Sequence, residues 1–127
     1  MTLICGIPNA GKTTYSQRFE NVVHMDEVAT KGHPMSRICE IISESEENVC
    51  VEGVFTTIHS RKQLADACPA EWKKTCIWLD TPLEECIRRE NRGRREGLMR
   101  NCHACMQPPT YSEGWDEIIV IRGDNNA

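Results

Sequence analysis

The chain has 127 residues, of which 39% are hydrophobic and 27% are charged, a balance typical of a globular domain and not of a disordered or fibrous protein. The formal net charge of −4 argues against a surface that is basic throughout and grips nucleic acid over its whole extent. No apolar run approaches the roughly 20 residues of a membrane-spanning helix, and the first residues lack the basic-then-apolar layout of a secretory signal.

Short apolar runs alternate with helix-like segments along the chain. Strands are predicted at residues 2–5, 22–24, 49–51, 75–79 and 118–121. Helices are predicted at residues 11–19, 35–42 and 60–67, with Ser60 as an N-cap, and again from Thr81-Pro82 onward. Residues 97–114 contain a Pro-Pro breaker and are predicted to be a loop. This order predicts one α/β domain over residues 1–127, built on a parallel sheet of five strands.

The strongest motif is GIPNAGKT, residues 6–13, which matches the G-x-x-x-x-G-K-[ST] phosphate loop between a predicted strand and a predicted helix. In such a loop the backbone N–H groups converge on phosphate oxygens, and the helix N-terminus adds its positive end. We expect Lys12 to reach the β- and γ-phosphates of a nucleoside triphosphate and the Thr13 hydroxyl to hold Mg²⁺. The expected nucleotide-binding residues of this loop are Gly6, Asn9, Ala10, Gly11, Lys12, Thr13 and Thr14.

Two carboxylates stand at the ends of predicted strands, where ligands of open parallel sheets bind. Asp26 follows the second strand and Glu52 ends the third. Asp26 is our candidate for the group that takes or orients the proton of a phosphoryl acceptor, and Glu52 for a Mg²⁺ ligand. The sequence leaves open which of the two serves the metal, and Glu27 is an alternative to Asp26.

Five arginines fall within eight residues at and beyond the end of the helix that follows the fourth strand: Arg88, Arg89, Arg92, Arg94 and Arg95. Guanidinium groups match the geometry of phosphate oxygens well. We interpret the cluster as a lid over the triphosphate. A basic helix end that complements the helix dipole is the alternative for one or two of its members.

Eight cysteines are scattered along the chain without the spacing of a disulfide framework. With no export signal beside them, they predict reduced thiols and a cytoplasmic protein. Cys102 and Cys105 form a lone Cys-x-x-Cys pair, whereas a structural zinc site normally has four ligands. We interpret them as a loop pair, with metal and redox roles as alternatives.

Taken together, these segments resemble the polynucleotide kinase-like P-loop kinases, the zeta-toxin/polynucleotide kinase group of AAA-type ATP-binding domains. The likeness is carried by GIPNAGKTTYSQRF, by VCVEGVFTTIHSRKQL, by WLDTPLEECIRRENRGRR and by PPTYSEGWDEIIVI, and it extends over nearly the whole chain. The resemblance implies a three-layer fold of the adenylate-kinase type that transfers the γ-phosphate of ATP, with Mg²⁺, to a hydroxyl group.

The resemblance also implies roles for individual residues. Lys12 and Asp26 become catalytic groups, and the lid arginines map to Arg89 and Arg92, with Arg88 as a competing phosphate contact. Trp115, in the Glu-Gly-Trp ending, lies where the family places its adenine.

The acceptor stays open at this stage. In polynucleotide kinases it is the 5′-hydroxyl of a nucleic acid, but this chain has Asn9 in place of the usual loop glycine and Glu52-Gly53-Val54 in place of an Asp-Thr-Asn segment. It is also short between the second and third strands. The alternatives are therefore a small-metabolite or toxin-type kinase and an ATP-binding regulatory module without turnover.

Overall fold

Five strands form one sheet in a computed structural model of the chain, which describes residues 1–29, 32–90 and 95–122. The strands are β1 (Thr2–Cys5), β2 (Val22–His24), β3 (Cys50–Gly53), β4 (Thr75–Asp80) and β5 (Glu117–Arg122). They are ordered β2-β3-β1-β4-β5, and every neighbouring pair is parallel. The prediction of a parallel five-stranded sheet is thereby confirmed.

Among the described residues, six helices connect these strands: α1 (Lys12–Ser16), α2 (Met25–Ala29), α3 (Pro34–Glu44), α4 (Ile58–Ala67), α5 (Leu83–Arg88) and α6 (Glu96–Cys105). A 3₁₀ turn at Tyr111–Glu113 precedes β5. Within the described ranges, no helix combines the length and the apolar character that crossing a bilayer requires.

The sheet separates two hydrophobic cores, because successive side chains of a strand point to opposite faces. Leu3 and Cys5 of β1 are fully buried on the face that α3 and α4 cover. Ile4, between them, is fully buried on the other face, against α5 and α6. The result is the predicted three-layer α/β arrangement of helices, sheet and helices.

The prediction of a loop over residues 97–114 is wrong for its first half, which forms α6. Gly97 and the distant Pro-Pro pair suggested a break, but Met99 is fully buried and Cys102, one turn later on the same side, packs against the same core. Burial of this apolar stripe outweighs the low helix propensity of one glycine in the first turn.

Two predicted helix caps also differ. The N-cap of α4 is Thr57, whose hydroxyl accepts a hydrogen bond from the backbone N–H of Ser60 at 3.1 Å, so Ser60 lies inside the first turn. The N-cap of α5 is Pro82, since the Thr81 hydroxyl instead donates to the carbonyl of Ala10 at 2.8 Å. Both Ser60 and Thr81 are good caps in isolation, but Thr57 caps α4 locally and Thr81 is engaged by the phosphate loop.

The order of the strands places a binding edge at the end of β1. From β1 the chain first forms β2 at one edge of the sheet and then β3, between β2 and β1. It then crosses to form β4 on the opposite side of β1. Ligands of open α/β sheets bind outside the carboxyl ends of the strands where the winding changes side. The GIPNAGKT segment follows β1 at this point.

Candidate functional site

The segment between β1 and α1 has the conformation of an anion-binding loop. Asn9 and Gly11 adopt positive φ angles of 67° and 102°, which turn the backbone back before α1 begins at Lys12. A Cβ atom at Gly6 would lie 2.9 Å from the carbonyl oxygen of Leu79, so only glycine lets the loop start this close to β4. Gly6 therefore shapes the loop from beneath and does not line the cavity above it.

Lys12 is the cation at the centre of this loop. Lys12 is only 8% exposed, and its Nζ donates to the carbonyl oxygen of Ile7 at 2.8 Å. Burial lowers the pKa of Lys12, and the carboxylates of Glu52 and, less strongly, Asp26 oppose that shift. A buried ammonium facing carboxylates is stabilised further by any anion that enters the loop.

A cavity of about 590 Å³ opens over the loop, within the size range of small-molecule sites. It brings together most of the predicted site residues: Asn9, Ala10, Gly11, Lys12, Thr13, Thr14, Asp26, Glu52 and Arg89. Residues far apart in the sequence therefore meet at one edge of the sheet.

The two carboxylates occupy different positions in this cavity. Glu52 lies on β3, whose neighbour is β1, and Ile4 is its register partner. Asp26 lies on α2, beyond the outer strand β2, and is exposed. Glu52 is 7% exposed and acts more strongly than Asp26 on the pKa of Lys12, as expected of the carboxylate closer to the phosphate loop.

The arginine cluster divides into two groups. Arg89 lines the cavity, where its Nη1 donates to the carbonyl of Asn9 at 3.0 Å and its Nε to Glu85 at 3.1 Å. Arg95 also lines the cavity. Arg88 points away from it, with its side chain 73% exposed and paired to Glu85. Arg92 and Arg94 lie outside the described residues.

The expectation that Trp115 lies beside the adenine is not met by its position. Its ring is only 4% exposed and packs in the core between the sheet, α3 and α4. Its Nε1 donates to the carboxylate of Glu113 at 2.8 Å. A buried ring with its polar atom satisfied has no free face for a base, so Trp115 is a core residue.

Sequence reasoning missed two residues on the cavity wall. Tyr15 lies in the last turn of α1 and Arg18 lies two residues beyond the helix, with its guanidinium 4.0 Å from the centre of the Tyr15 ring. The spacing of Arg18 from Thr14, one helical turn, is the signal that could have found it. Arg18 makes no ion pair in the described part of the chain, which leaves its charge available to a ligand.

The donors at the site fit Mg²⁺ better than a transition metal. Thr13, Asp26 and Glu52 supply oxygen atoms, and Mg²⁺ is usually held by one or two protein oxygens together with substrate phosphates. Across residues 1–29, 32–90 and 95–122, no group of three or more His, Cys, Asp or Glu side chains could hold a metal ion by itself. Cys102 and Cys105 lie on α6 and not in a loop, and all eight cysteines are unpaired thiols.

Comparisons with known proteins support the fold. No protein-family model matches the sequence, and a search of curated proteins gives no significant match. Among solved structures, the chain is similar to a gluconokinase from Sinorhizobium meliloti 1021, with a TM-score of 0.71 over 95% of this chain and 81% of that protein. The sequences are 14% identical, so the likeness establishes a shared fold. This α/β chain has the fold of a P-loop kinase.

Proposed function

We propose that this protein is an ATP-dependent kinase that transfers the γ-phosphate to a hydroxyl group of a small metabolite. The observation that carries the proposal is one cavity lined together by Lys12 of the phosphate loop, by the carboxylates of Asp26 and Glu52, and by Arg89. Phosphoryl transfer needs these parts and few others, because catalysis rests on positioning and on charge stabilisation.

The nucleotide half of the site is the loop and the start of α1. In our proposal the loop N–H groups and Lys12 bind the β- and γ-phosphates, and the Thr13 hydroxyl and Glu52 hold Mg²⁺. When bound, Mg²⁺ would offset the negative charge of the phosphate oxygens. Glu52 is assigned to the metal because it lies on the strand beside β1 and is the more buried carboxylate.

The transfer half of the site consists of Asp26 and the arginines that line the same cavity. Asp26 is exposed to the cavity and makes no hydrogen bond or ion pair within the described ranges, so it is free to accept the proton of an incoming hydroxyl. Arg89 and Arg95 provide cations for the charge that develops on the phosphoryl oxygens. Arg18 is available to the nucleotide or to the acceptor.

Two observations favour a small acceptor over the 5′-hydroxyl of a nucleic acid. The similar solved structure is a gluconokinase, and the shared fold extends over 95% of this chain. The net charge is −4, and nucleic-acid binding draws on many exposed cations. The small-metabolite interpretation therefore replaces the nucleic-acid one as our leading proposal. Eight unpaired thiols fit a reducing compartment, and we propose the cytoplasm as the location.

The direct test is transfer of label from γ-labelled ATP with Mg²⁺ to a panel of small hydroxyl compounds, sugars and sugar acids included, beside 5′-hydroxyl DNA and RNA oligonucleotides. We expect label on a metabolite and none on the oligonucleotides. Asp26→Asn should abolish the transfer, whereas Asp66→Asn, an exposed carboxylate on α4 paired with Lys62, should not change it. Label on oligonucleotides alone would overturn the proposed acceptor, and transfer that survives Asp26→Asn would overturn the role of Asp26.

A further inference from the structure

We infer that His24 is a positioning residue, which holds the carboxylate of Glu52 in the orientation that the metal-bound nucleotide requires. The inference rests on the proposed function, since it assigns a supporting partner to the proposed metal ligand. His24 is the last residue of β2, and it is not among the residues that line the main cavity.

The contact between the two side chains is direct. Nδ1 of His24 lies 2.8 Å from Oε2 of Glu52. The two residues are register partners on the parallel strands β2 and β3, so their side chains project from the same face of the sheet. Because an ionised carboxylate can only accept, Nδ1 carries the proton and donates it.

This hydrogen bond uses one oxygen of Glu52 and leaves the other available. Within the described part of the chain, His24 is the only hydrogen-bond partner of the Glu52 side chain. Among the described residues, Oε1 is not a buried atom without a partner, and Glu52 lines the cavity above the phosphate loop, so Oε1 is the oxygen left for a ligand. The arrangement presents a single oxygen to the site from a side chain that is itself 9% exposed.

The residues that follow His24 and Glu52 in the chain also pack against each other. A Cβ atom at Gly53 would lie 2.6 Å from the Phe55 ring and 2.8 Å from Cβ of Met25, so both side chains pack directly against the chain after Glu52. Met25 follows His24 in the sequence. The end of β2 and the end of β3 are therefore in contact at two points, through the His24–Glu52 hydrogen bond and through the packing of Met25 on Gly53.

Holding Glu52 matters because a glutamate side chain has several rotatable bonds, whose freedom must be lost when it binds a metal. Carboxylates that ligate metals are themselves commonly hydrogen-bonded, and removing such a partner typically weakens metal affinity or activity by about 10- to 100-fold. Asp26 has no equivalent partner among the described residues, consistent with a group that meets an incoming acceptor. His24 thus separates the roles of the two carboxylates.

The test measures metal-dependent nucleotide binding and not turnover. Mn²⁺ replaces Mg²⁺, and the full chain is titrated with a non-hydrolysable ATP analogue while bound Mn²⁺ is followed by electron paramagnetic resonance. For His24→Ala we expect Mn²⁺ binding in the ternary complex to weaken by about 10- to 100-fold, with unchanged affinity for the metal-free analogue. His24→Asn should restore most of the loss, because its amide nitrogen takes the place of Nδ1.

Two further variants make the result specific. His59→Ala, an exposed histidine on α4, is the matched control and should bind Mn²⁺ as the wild type does. In a Glu52→Gln background, His24→Ala should cause no additional loss, since it acts through Glu52.

The outcomes separate the two proposals. Wild-type protein that binds no analogue with or without Mn²⁺ would contradict the proposed function itself. Metal-dependent binding in the wild type that His24→Ala leaves intact would overturn the role of His24 alone. A loss that is equal with and without metal, or that adds to Glu52→Gln, would show a merely structural role and overturn it too.

Discussion

Arg61 and Glu113, 52 residues apart in the chain, form an ion pair in which neither side chain is exposed. Nε and Nη2 of the guanidinium donate to the two carboxylate oxygens at 2.9 and 3.1 Å. Arg61 also donates to the carbonyls of Phe55 and Gln107, and Glu113 accepts from Trp115. The pair therefore joins α4 and the segment before β5 to the loop after β3, which forms one wall of the cavity.

Removing either partner should destabilise the protein strongly, because the other is left as a buried, uncompensated charge. We expect Glu113→Ala or Arg61→Ala to lower the free energy of unfolding by about 3–5 kcal/mol, measured by urea denaturation. Asp66→Ala, which breaks the exposed pair with Lys62 on α4, is the matched control and should cost about 0.5 kcal/mol or less. Equal effects at the two sites would mean that burial of the Arg61–Glu113 pair has no energetic consequence.

The same carboxylate predicts a pH dependence of stability. Burial alone would raise the pKa of Glu113, but hydrogen bonds from Arg61, Trp115 and Thr110 outweigh burial and hold that pKa below its usual value. The unfolded chain then binds the proton more readily than the folded one, so the stabilisation is complete above the unfolded pKa of about 4.3 and is lost as pH falls through the folded value.

Urea denaturation of the wild type and of Glu113→Gln between neutral and acid pH measures this effect. The difference in the free energy of unfolding should be constant near neutrality and should shrink on the acid side. A difference that grows as pH falls would contradict a lowered pKa for Glu113.

The sequence predicted those parts of the molecule that depend on local spacing. The phosphate loop is recognisable because Gly6, Gly11 and Lys12 must stand at fixed distances for the backbone to turn around a phosphate. The two carboxylates were found because each lies at or just after the carboxyl end of a predicted strand. The burial of Trp115 was not predictable, since a loop position next to a strand says nothing about which side chain the neighbouring helices cover. The hydrogen bond between His24 and Glu52 depends on the register of two strands, which only the folded chain reveals.

Asn9 connects the phosphate loop to α5 and α6, at the position where the family that the sequence resembles usually has glycine. Its side-chain amide donates to the carbonyl of Cys86 on α5 at 3.3 Å, and it lies 3.8 Å from the sulfur of Met99 on α6. Glycine tolerates the same positive φ, so Asn9→Gly removes these contacts without straining the backbone.

We expect Asn9→Gly to weaken ATP binding. Without the side-chain contacts of Asn9 the free loop is less ordered, and ordering it on binding costs part of the binding free energy. Asn21→Gly is a matched control: Asn21 also has a positive φ, 53°, and among the described residues its side chain hydrogen-bonds only to Glu47 and Asn48 at the surface. Isothermal titration with ATP compares the two. Equal affinities in both variants would show that the side chain of Asn9 has no part in organising the loop.

The two neighbouring lid arginines should differ in their effect on turnover. Both arginines pair with Glu85. Arg89 lines the cavity, whereas the side chain of Arg88 is exposed to solvent. We expect Arg89→Ala to lower kcat by about 10²- to 10³-fold, the loss typical of one removed charge-stabilising donor. Arg88→Ala should leave kcat close to the wild-type value. If Arg88→Ala lowers kcat more than Arg89→Ala does, the active form has a rearranged lid with Arg88 over the phosphates.

The measurement that tests the account most directly is calorimetric titration of the protein with ATP, with and without Mg²⁺, beside Lys12→Ala. Lys12 is buried at the centre of the phosphate loop and opposite both carboxylates. Lys62→Ala, an exposed lysine on α4, is the control. The account predicts saturable binding to the wild type and to Lys62→Ala, tighter with Mg²⁺, and loss of that binding in Lys12→Ala. Lys12→Ala protein that binds ATP as tightly as the wild type, or wild-type protein that binds none, would contradict it.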